Sequence, residues 1–472
     1  MHVSMLSTFR NNYTKKLIQL SLPMVLTHII TMGSGFLCMT MLAKLGHKAL
    51  AASALIFSIQ MAVIHISASL LFSLSLLIGH RFGKKDYGTI GALVQQGWLL
   101  SLIISIPIFL IYWHIYTILI FLGQDRTISK IVEEFFHANI WVILPFFFAV
   151  CNQQLCYGVQ KQKIDMYANA LSVVVLLISA YIFIFGKFGL PPLGVAGFGY
   201  ASALQGWFYF LSTSSCLCVI HDFKKFNLFR ICIYQNWHTL IDLFKIGWPI
   251  SLQVSGEMLS FVVSAVFIGC LGTTALAAYQ VIMQYQYLIV IPIFAISQAS
   301  AILMRQTFGS KQYSDINELV RTSVRIVVAI STTIGLTFIL FPKILSSLYL
   351  NIHDTVNIQT MHLVITLFMI LSVSQFFDAI RNALMGFLRG LLDTKYVMAI
   401  GFISSWFIGI PLGYLFAFFF HGGAPGIFLG GMCGILFGTG MLYFRWQLKL
   451  PKNISLPLHS KQARHINANE SS

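Results

Sequence analysis

Two acidic residues of this sequence, Glu257 and Asp378, lie deep within long apolar segments. Most of the other acidic residues, Asp165 among them, lie in loops or near the ends of such segments. A carboxylate at the centre of a bilayer costs roughly 2.5–3.5 kcal/mol on insertion scales, so it usually faces a polar cavity. There it can carry a proton, because burial disfavours its charged form, or it can coordinate a cation. Either use predicts a site that couples transport to an ion.

The neighbours of both carboxylates are polar at helical spacing. Residues four apart share a face of a helix, so each carboxylate has a polar neighbour one turn away. We expect an ion or substrate cavity lined by these neighbours and by two glutamines of the following helix: Gln253, Ser374, Asn382, Gln280 and Gln284. A structural alternative exists for Asp378, because a salt bridge to Arg381 would only orient the helix.

The composition predicts that this charged pair is embedded in a membrane protein. Of 472 residues, 57% are hydrophobic and 9% are charged, against about 25% charged residues in soluble domains. Apolar runs long enough to cross a bilayer recur along the chain. The predicted fold class is an all-α polytopic membrane protein with about twelve transmembrane helices. We place them at 17–43, 49–79, 91–122, 132–157, 167–186, 194–220, 241–270, 275–304, 317–348, 360–389, 396–420 and 425–447.

The loops between these segments alternate in charge, which predicts the orientation. One set is basic, as at Arg81 to Lys85, and the other is nearly uncharged, as at 270–274 and 421–425. The positive-inside rule then places the basic loops and both termini in the cytoplasm, in a multi-pass protein of the inner membrane. The net charge of +16 is explained by these loops, and we expect no nucleic-acid partner.

The sequence also repeats itself. Leu22-Pro23 matches Trp248-Pro249, and Phe82-Gly83-Lys84-Lys85 matches Phe308-Gly309-Ser310-Lys311, both at an offset of 226 residues. Six helices per half make the repeat parallel and predict two six-helix bundles. The predicted domains are an N-terminal bundle at 1–220, a cytoplasmic linker at 221–240, a C-terminal bundle at 241–449 and a cytoplasmic tail at 450–472.

Two repeated bundles predict a substrate site at their interface and alternating access by rocking. The sequence has no phosphate-binding glycine loop and no metal-ligand cluster, so we expect neither an enzyme nor an ATP-driven pump. The expected coupling ion is H⁺ or Na⁺, with Glu257 and Asp378 as ligands if it is Na⁺, and no cofactor is expected.

These landmarks together resemble the multidrug and toxic compound extrusion (MATE) family over roughly residues 15–448. The resemblance is carried by Leu22-Pro23, Leu45-Gly46 with Ala49-Leu50-Ala51-Ala52, Leu193-Gly194-Val195-Ala196-Gly197, Gly247-Trp248-Pro249 with Glu257, Ala277-Ala278-Tyr279-Gln280, Leu388-Arg389-Gly390 with Asp393-Thr394-Lys395, and Gly409-Ile410-Pro411-Leu412-Gly413. It implies twelve helices in two bundles and export of organic compounds against inward Na⁺ or H⁺. Glu257 and Asp378 match the acidic pair of its NorM-like branch.

The first half departs from the family pattern. Cys38 stands where the family often has an aspartate in the first helix, and Leu176 and Ala180 stand where an asparagine and an aspartate are frequent in the fifth. Ser374 falls where the NorM-like branch can carry a cation-site tyrosine. We therefore expect the carboxylate site of the amino-terminal half to be missing, with coupling confined to the carboxy-terminal half.

The expected function is an ion-coupled antiporter for multidrug (xenobiotic) efflux of amphipathic, cationic organic compounds. An aromatic content of 14% and a negative fixed charge from Glu257 and Asp378 favour cationic amphiphiles. The expected partners are the small organic substrate and the lipid bilayer, and a monomer is expected. The alternative is a flippase of lipid-linked saccharides from the same superfamily, which would line its cavity with basic residues. A receptor or scaffold would have no need of buried acids.

Overall fold

The computed structural model describes residues 2–228, 237–349 and 357–449, and every regular element in these ranges is helical. The first half contains ten α-helices: α1 (His2–Ala43), α2 (His47–Leu70), α3 (Phe72–Gly83), α4 (Ile90–Trp113), α5 (Ile115–Phe121), α6 (Arg126–Asn139), α7 (Ile143–Gly158), α8 (Gln162–Phe185), α9 (Gly194–Val219) and α10 (His221–Lys224). A 3-10 turn at Ile140–Val142 joins α6 to α7.

The second half contains eight: α11 (Trp237–Cys270), α12 (Thr273–Gly309), α13 (Ile316–Leu340), α14 (Pro342–Ser347), α15 (Asn357–Gly390), α16 (Thr394–Phe402), α17 (Ile410–Tyr414) and α18 (Gly423–Lys449). Segments at Ile403–Gly409 and Leu415–Phe419 are π-helical and continue α16 and α17 as one rod.

Eleven of the described helical rods are long and apolar enough to cross a membrane. The twelfth rod is α9, which has 26 residues and no charged side chain. The predicted fold class is confirmed, and several observed helices begin before the predicted boundaries.

The start of α6 shows how a helix cap shifts a boundary. Asp125 precedes the helix, and its carboxylate accepts hydrogen bonds from the backbone N–H groups of Thr127 at 2.9 Å and Ile128 at 3.1 Å. These bonds, the one from Ile128 first, lower the pKa of the Asp125 carboxyl. An aspartate N-cap satisfies backbone donors that no helical carbonyl reaches. The helix therefore begins at Arg126, although the apolar pattern predicts a start at 132.

The backbone repeats between the halves at the same offset as the sequence. Gly46 and Gly272 precede α2 and α12 with φ angles of 106° and 111°. Lys85 and Lys311 follow α3 and α12 with φ angles of 61° and 59°. Left-handed angles are unusual for lysine, so their recurrence at matched positions confirms the parallel repeat in three dimensions.

The two bundles make close contact at the end that carries the basic loops. A Cβ atom on Gly83 would lie 2.2 Å from the carbonyl oxygen of Gln306, and one on Gly309 would lie 2.3 Å from that of His80. The Gln306 side chain donates to the carbonyl of Gly158 at 2.8 Å. Only glycine lets helix backbones approach this closely. The bundles are therefore closed together at this end.

Two predicted segments lie partly or wholly outside the described residues. These are the linker at 221–240, of which residues 229–236 are not described, and the tail at 450–472. The domain boundaries and the cytoplasmic placement of the termini stay predictions.

Candidate functional site

The two predicted carboxylates are brought together by one arginine. Arg381 on α15 lies 2.7 Å from Asp378 on the same helix and 3.2 Å from Glu257 on α11. The side chains of Arg381 and Asp378 are 11% and 9% exposed, whereas that of Glu257 is 28% exposed. The salt bridge that the sequence suggests for Asp378 is present. The same guanidinium also contacts Glu257, which is 124 residues away along the chain. This contact could not be predicted from the sequence.

A second arginine joins the cluster through a buried amide. Gln253, which is 2% exposed, donates from Nε2 to Glu257 Oε1 at 3.3 Å and accepts from Arg389 Nη2 at 2.9 Å. The Nε2 atom of Gln253 also lies 2.8 Å from the sulfur of Met385. The result is a continuous chain of polar contacts from Asp378 to Arg389, crossing twice between α15 and α11.

Asn382 completes the polar surroundings of Asp378. Its side-chain nitrogen donates to Asp378 Oδ2 at 3.0 Å, and its backbone carbonyl accepts from Ser297 on α12 at 2.6 Å. Both oxygens of Asp378 therefore have a partner. A buried charge is tolerated only when it is paired and hydrogen-bonded in this way.

The π-helical segment at Ile403–Gly409 fixes the position of α11 beside the cluster. Pro411 lies just beyond it and lacks the N–H that a regular helix would use. Trp406 in this segment donates to the carbonyl of Gly256 at 3.0 Å, and a Cβ on Gly256 would lie 2.9 Å from the ring of Phe402. Because Gly256 directly precedes Glu257, this contact sets the position of the Glu257 carboxylate relative to α16.

The cluster of Glu257, Asp378, Arg381, Arg389, Gln253 and Asn382 is electrically balanced. Its two carboxylates carry two negative charges and its two arginines two positive charges. The sequence predicts a negative fixed charge here, and the structure corrects this, because Arg381 pairs with both carboxylates and Arg389 joins them through Gln253. Protonation or substrate binding at one carboxylate would change the partners of the other through Arg381.

Three other predicted cavity residues do not contact the carboxylates. Ser374 is buried, but its hydroxyl donates to the carbonyl of Leu371 at 3.1 Å within α15. Gln280 and Gln284 are exposed on α12, and the hydrogen bonds described for residues 2–228, 237–349 and 357–449 do not join them to the cluster. Their role in a cavity stays a prediction.

The amino-terminal half contains a buried carboxylate that the sequence places at a helix end. Asp165 lies in the first turn of α8 and is fully buried. It accepts hydrogen bonds from Tyr209, and from Tyr157 and Gln153 at 3.2 Å each. The sequence places Asp165 at a helix end without indicating burial, and the structure buries it because α7 and α9 cover the start of α8. Spacing along α8 alone gives no signal of that cover.

The positions aligned with the family's amino-terminal acidic site are apolar and packed. Cys38, Leu176 and Ala180 are 0%, 5% and 0% exposed and belong to the hydrophobic core. Asp165 precedes Leu176 by three helical turns, so it does not replace the absent carboxylate at the same depth.

Two repeated bundles of membrane-crossing helices that hold a buried charge cluster have the architecture of a membrane transporter. The sequence model of the family described as MatE matches residues 23–182 and 249–415, which is about two thirds of the chain. The protein therefore belongs to the MatE family.

Curated relatives match along nearly the whole chain. A probable multidrug resistance protein NorM of Brucella suis is 26% identical over 435 residues, covering 92% of each chain. The multidrug resistance protein MdtK of Edwardsiella ictaluri is 27% identical over 448 residues, covering 93% of this chain and 96% of the relative.

Solved structures show the same fold. The Vibrio cholerae MATE transporter VcmN in its bent form superposes with a TM-score of 0.83 at 18% identity, covering 94% of this chain and 98% of that one. The outward-facing conformation of a multidrug resistance MATE transporter superposes with a TM-score of 0.85 at 17% identity, covering 95% and 98%.

Proposed function

We propose that the protein is an antiporter of the inner membrane that exports amphipathic organic compounds by alternating access, driven by inward movement of H⁺ or Na⁺. The observation that carries the proposal is the buried bridge from Glu257 through Arg381 to Asp378. Charges at membrane depth are costly, and they are retained where they move ions or substrates. The names of the relatives, which are multidrug resistance proteins, support the same function.

The geometry favours H⁺ over Na⁺ as the coupling ion. A sodium ion entering between the two carboxylates would face the guanidinium of Arg381, 2.7 Å from Asp378 and 3.2 Å from Glu257. Two cations at such separations repel each other strongly in a region of low dielectric. A proton instead neutralises one carboxylate and breaks the ion pair between that carboxylate and Arg381. Proton binding on one side of the membrane and release on the other would therefore change the ion pairs within the cluster.

The substrate preference is for cationic amphiphiles that compete with Arg381 for Glu257. Glu257 is the most exposed member of the bridge, at 28%, so an entering cation meets this carboxylate first. Aromatic rings nearby, such as those of Phe402 and Trp406, which stack at 5.7 Å, offer faces to a cationic ligand. A substrate that displaces Arg381 from Glu257 would occupy that carboxylate. Asp378 would then be the carboxylate that remains to bind the proton.

The test uses purified protein in liposomes with a proton or a sodium gradient imposed separately. Glu257→Gln and Asp378→Asn are expected to abolish gradient-driven export of a cationic dye such as ethidium while the protein remains folded and inserted. Glu134→Gln, an exposed acid on α6, is the matched control and should keep wild-type export. Full export by the Glu257→Gln, Asp378→Asn double variant would overturn the proposed site.

One observation favours the flippase alternative, since Arg381 and Arg389 place two guanidinium groups inside the second bundle. Both are engaged by Glu257 and Gln253 rather than free to hold a phosphate. Flipping of a fluorescent lipid-linked saccharide by the same liposomes, with no export of ethidium under either gradient, would favour this alternative.

A further inference from the structure

A polar cavity lies between the bundles at the end with the basic loops. Its volume is about 560 Å³, and it is separate from the carboxylate cluster. Helices α3 and α4 contribute from the first half, and α11, α12, α16 and the turn between α15 and α16 contribute from the second. We call it the basic vestibule, and its titratable lining residues are His80, Arg81, Asp242, Lys245, Arg305, Asp393 and Lys395.

The acidic residues of the basic vestibule do not balance its cations. Asp393 is held by Arg445 at 2.8 Å and lies 3.9 Å from Lys449. Asp242 is therefore the remaining carboxylate for three lining cations. Within the described part of the chain, none of these three cations has a carboxylate within 4.0 Å. They are Lys245, Arg305 and Lys395. Arg81 is already paired with a carboxylate outside the lining, at 3.0 Å.

The inner wall carries buried side-chain nitrogens without a hydrogen-bond partner. Among the described residues, the Nε atom of Arg305 and the Nδ1 atom of His80 are buried without a hydrogen-bond partner. They lie on α12 and α3, whose backbones touch at Gly83 and Gly309. An arginine donor buried without an acceptor is costly, and an anion from solvent would satisfy it. The exposed lysines Lys245 and Lys395 surround the same space.

We propose that the basic vestibule binds a phosphate-bearing anion, with Arg305 as the inner ligand and Lys245 and Lys395 at its mouth. Arginine and lysine are the usual ligands of phosphate oxygens, and their excess positive charge here repels cationic substrates. The volume suits a ligand of headgroup size. The phosphate is carried either by an anionic lipid headgroup or by a soluble compound of the compartment that this end faces.

The test measures both sources on the full-length protein. Inorganic phosphate is titrated against the protein in nanodiscs of phosphatidylcholine at constant ionic strength, with the thermal midpoint as readout. In parallel, native mass spectrometry counts phosphatidylglycerol retained from mixed micelles. The wild-type protein is expected to be stabilised by phosphate, or to retain phosphatidylglycerol, and the arm that responds identifies the source.

Arg305→Gln is expected to weaken the responding interaction about tenfold, which corresponds to about 1.4 kcal/mol. Lys395→Gln alters an exposed side chain, so it tests the site even if Arg305→Gln does not fold, and should weaken binding in the same arm. Lys187→Gln is the matched control, since this lysine is exposed between α8 and α9, and it should bind as the wild type does. Equal responses of the wild type and the Lys395→Gln variant in both arms would overturn the proposal.

Discussion

Replacing Arg381 with glutamine removes a cation that contacts both predicted carboxylates. Asp378 is 9% exposed, and breaking a buried ion pair by removing one partner costs about 3–5 kcal/mol, because the other charge is left uncompensated. Glu257 is 28% exposed, so water compensates part of its loss. We therefore expect Arg381→Gln to be strongly destabilising, with most of the loss arising at Asp378.

A second substitution isolates that cause. Adding Asp378→Asn to Arg381→Gln removes the uncompensated buried charge and leaves an amide that still accepts from Asn382. The double variant should therefore be more stable than Arg381→Gln alone. The coupling free energy between the two positions is expected at the upper end of the range for contacting residues, about 2–3 kcal/mol.

The assay is the thermal midpoint of detergent-purified protein, followed by size-exclusion chromatography after heating, for the wild type and each variant. Lys161→Gln is the control, because it removes an ion pair with Asp222 whose side chains are 46% and 52% exposed. Exposed pairs contribute about 0–1 kcal/mol, so this variant should behave almost as the wild type. Lys161 also lowers the pKa of Asp222 through a hydrogen bond.

Two results would refute the reasoning. If Arg381→Gln were as stable as Lys161→Gln, Arg381 would not be compensating a buried charge. If the double variant were less stable than Arg381→Gln alone, the loss would come from packing around the guanidinium rather than from the uncompensated Asp378.

Three further predictions follow from packing and topology. Gly83→Ala should weaken closure between the bundles and lower the thermal midpoint, since its Cβ would lie 2.2 Å from a backbone oxygen, whereas Gly88→Ala, with nothing within 4 Å, should not. Asp165→Asn should lower the free energy of unfolding by about 1–3 kcal/mol, because the new NH₂ group faces donors, and chemical denaturation measures this. Cysteine labelling should reach position 84 from the cytoplasm and position 273 from outside; external labelling of position 84 contradicts the orientation.

The fold class could be predicted from the sequence because its determinants are local and repeated. A run of about 20 apolar residues needs no tertiary partner to indicate a membrane-crossing helix. The offset of 226 residues between Phe82-Gly83 and Phe308-Gly309 is likewise visible without coordinates, and the matching φ angles of Lys85 and Lys311 show that it persists in the backbone. The candidate carboxylates Glu257 and Asp378 were identifiable because charge is rare inside such runs.

What the sequence determined by itself is the helical, membrane-crossing character of the fold, its repeat, and the two acids placed inside its helices. What only the tertiary structure decided is which side chains from different helices meet. Arg381 reaches Glu257 across 124 residues, Gln253 joins Arg389, and Asp165 is buried under Tyr157 and Tyr209. The physical reason is that helical periodicity fixes neighbours one turn apart on the same helix. Contacts between helices depend on how whole bundles pack, which no local spacing encodes.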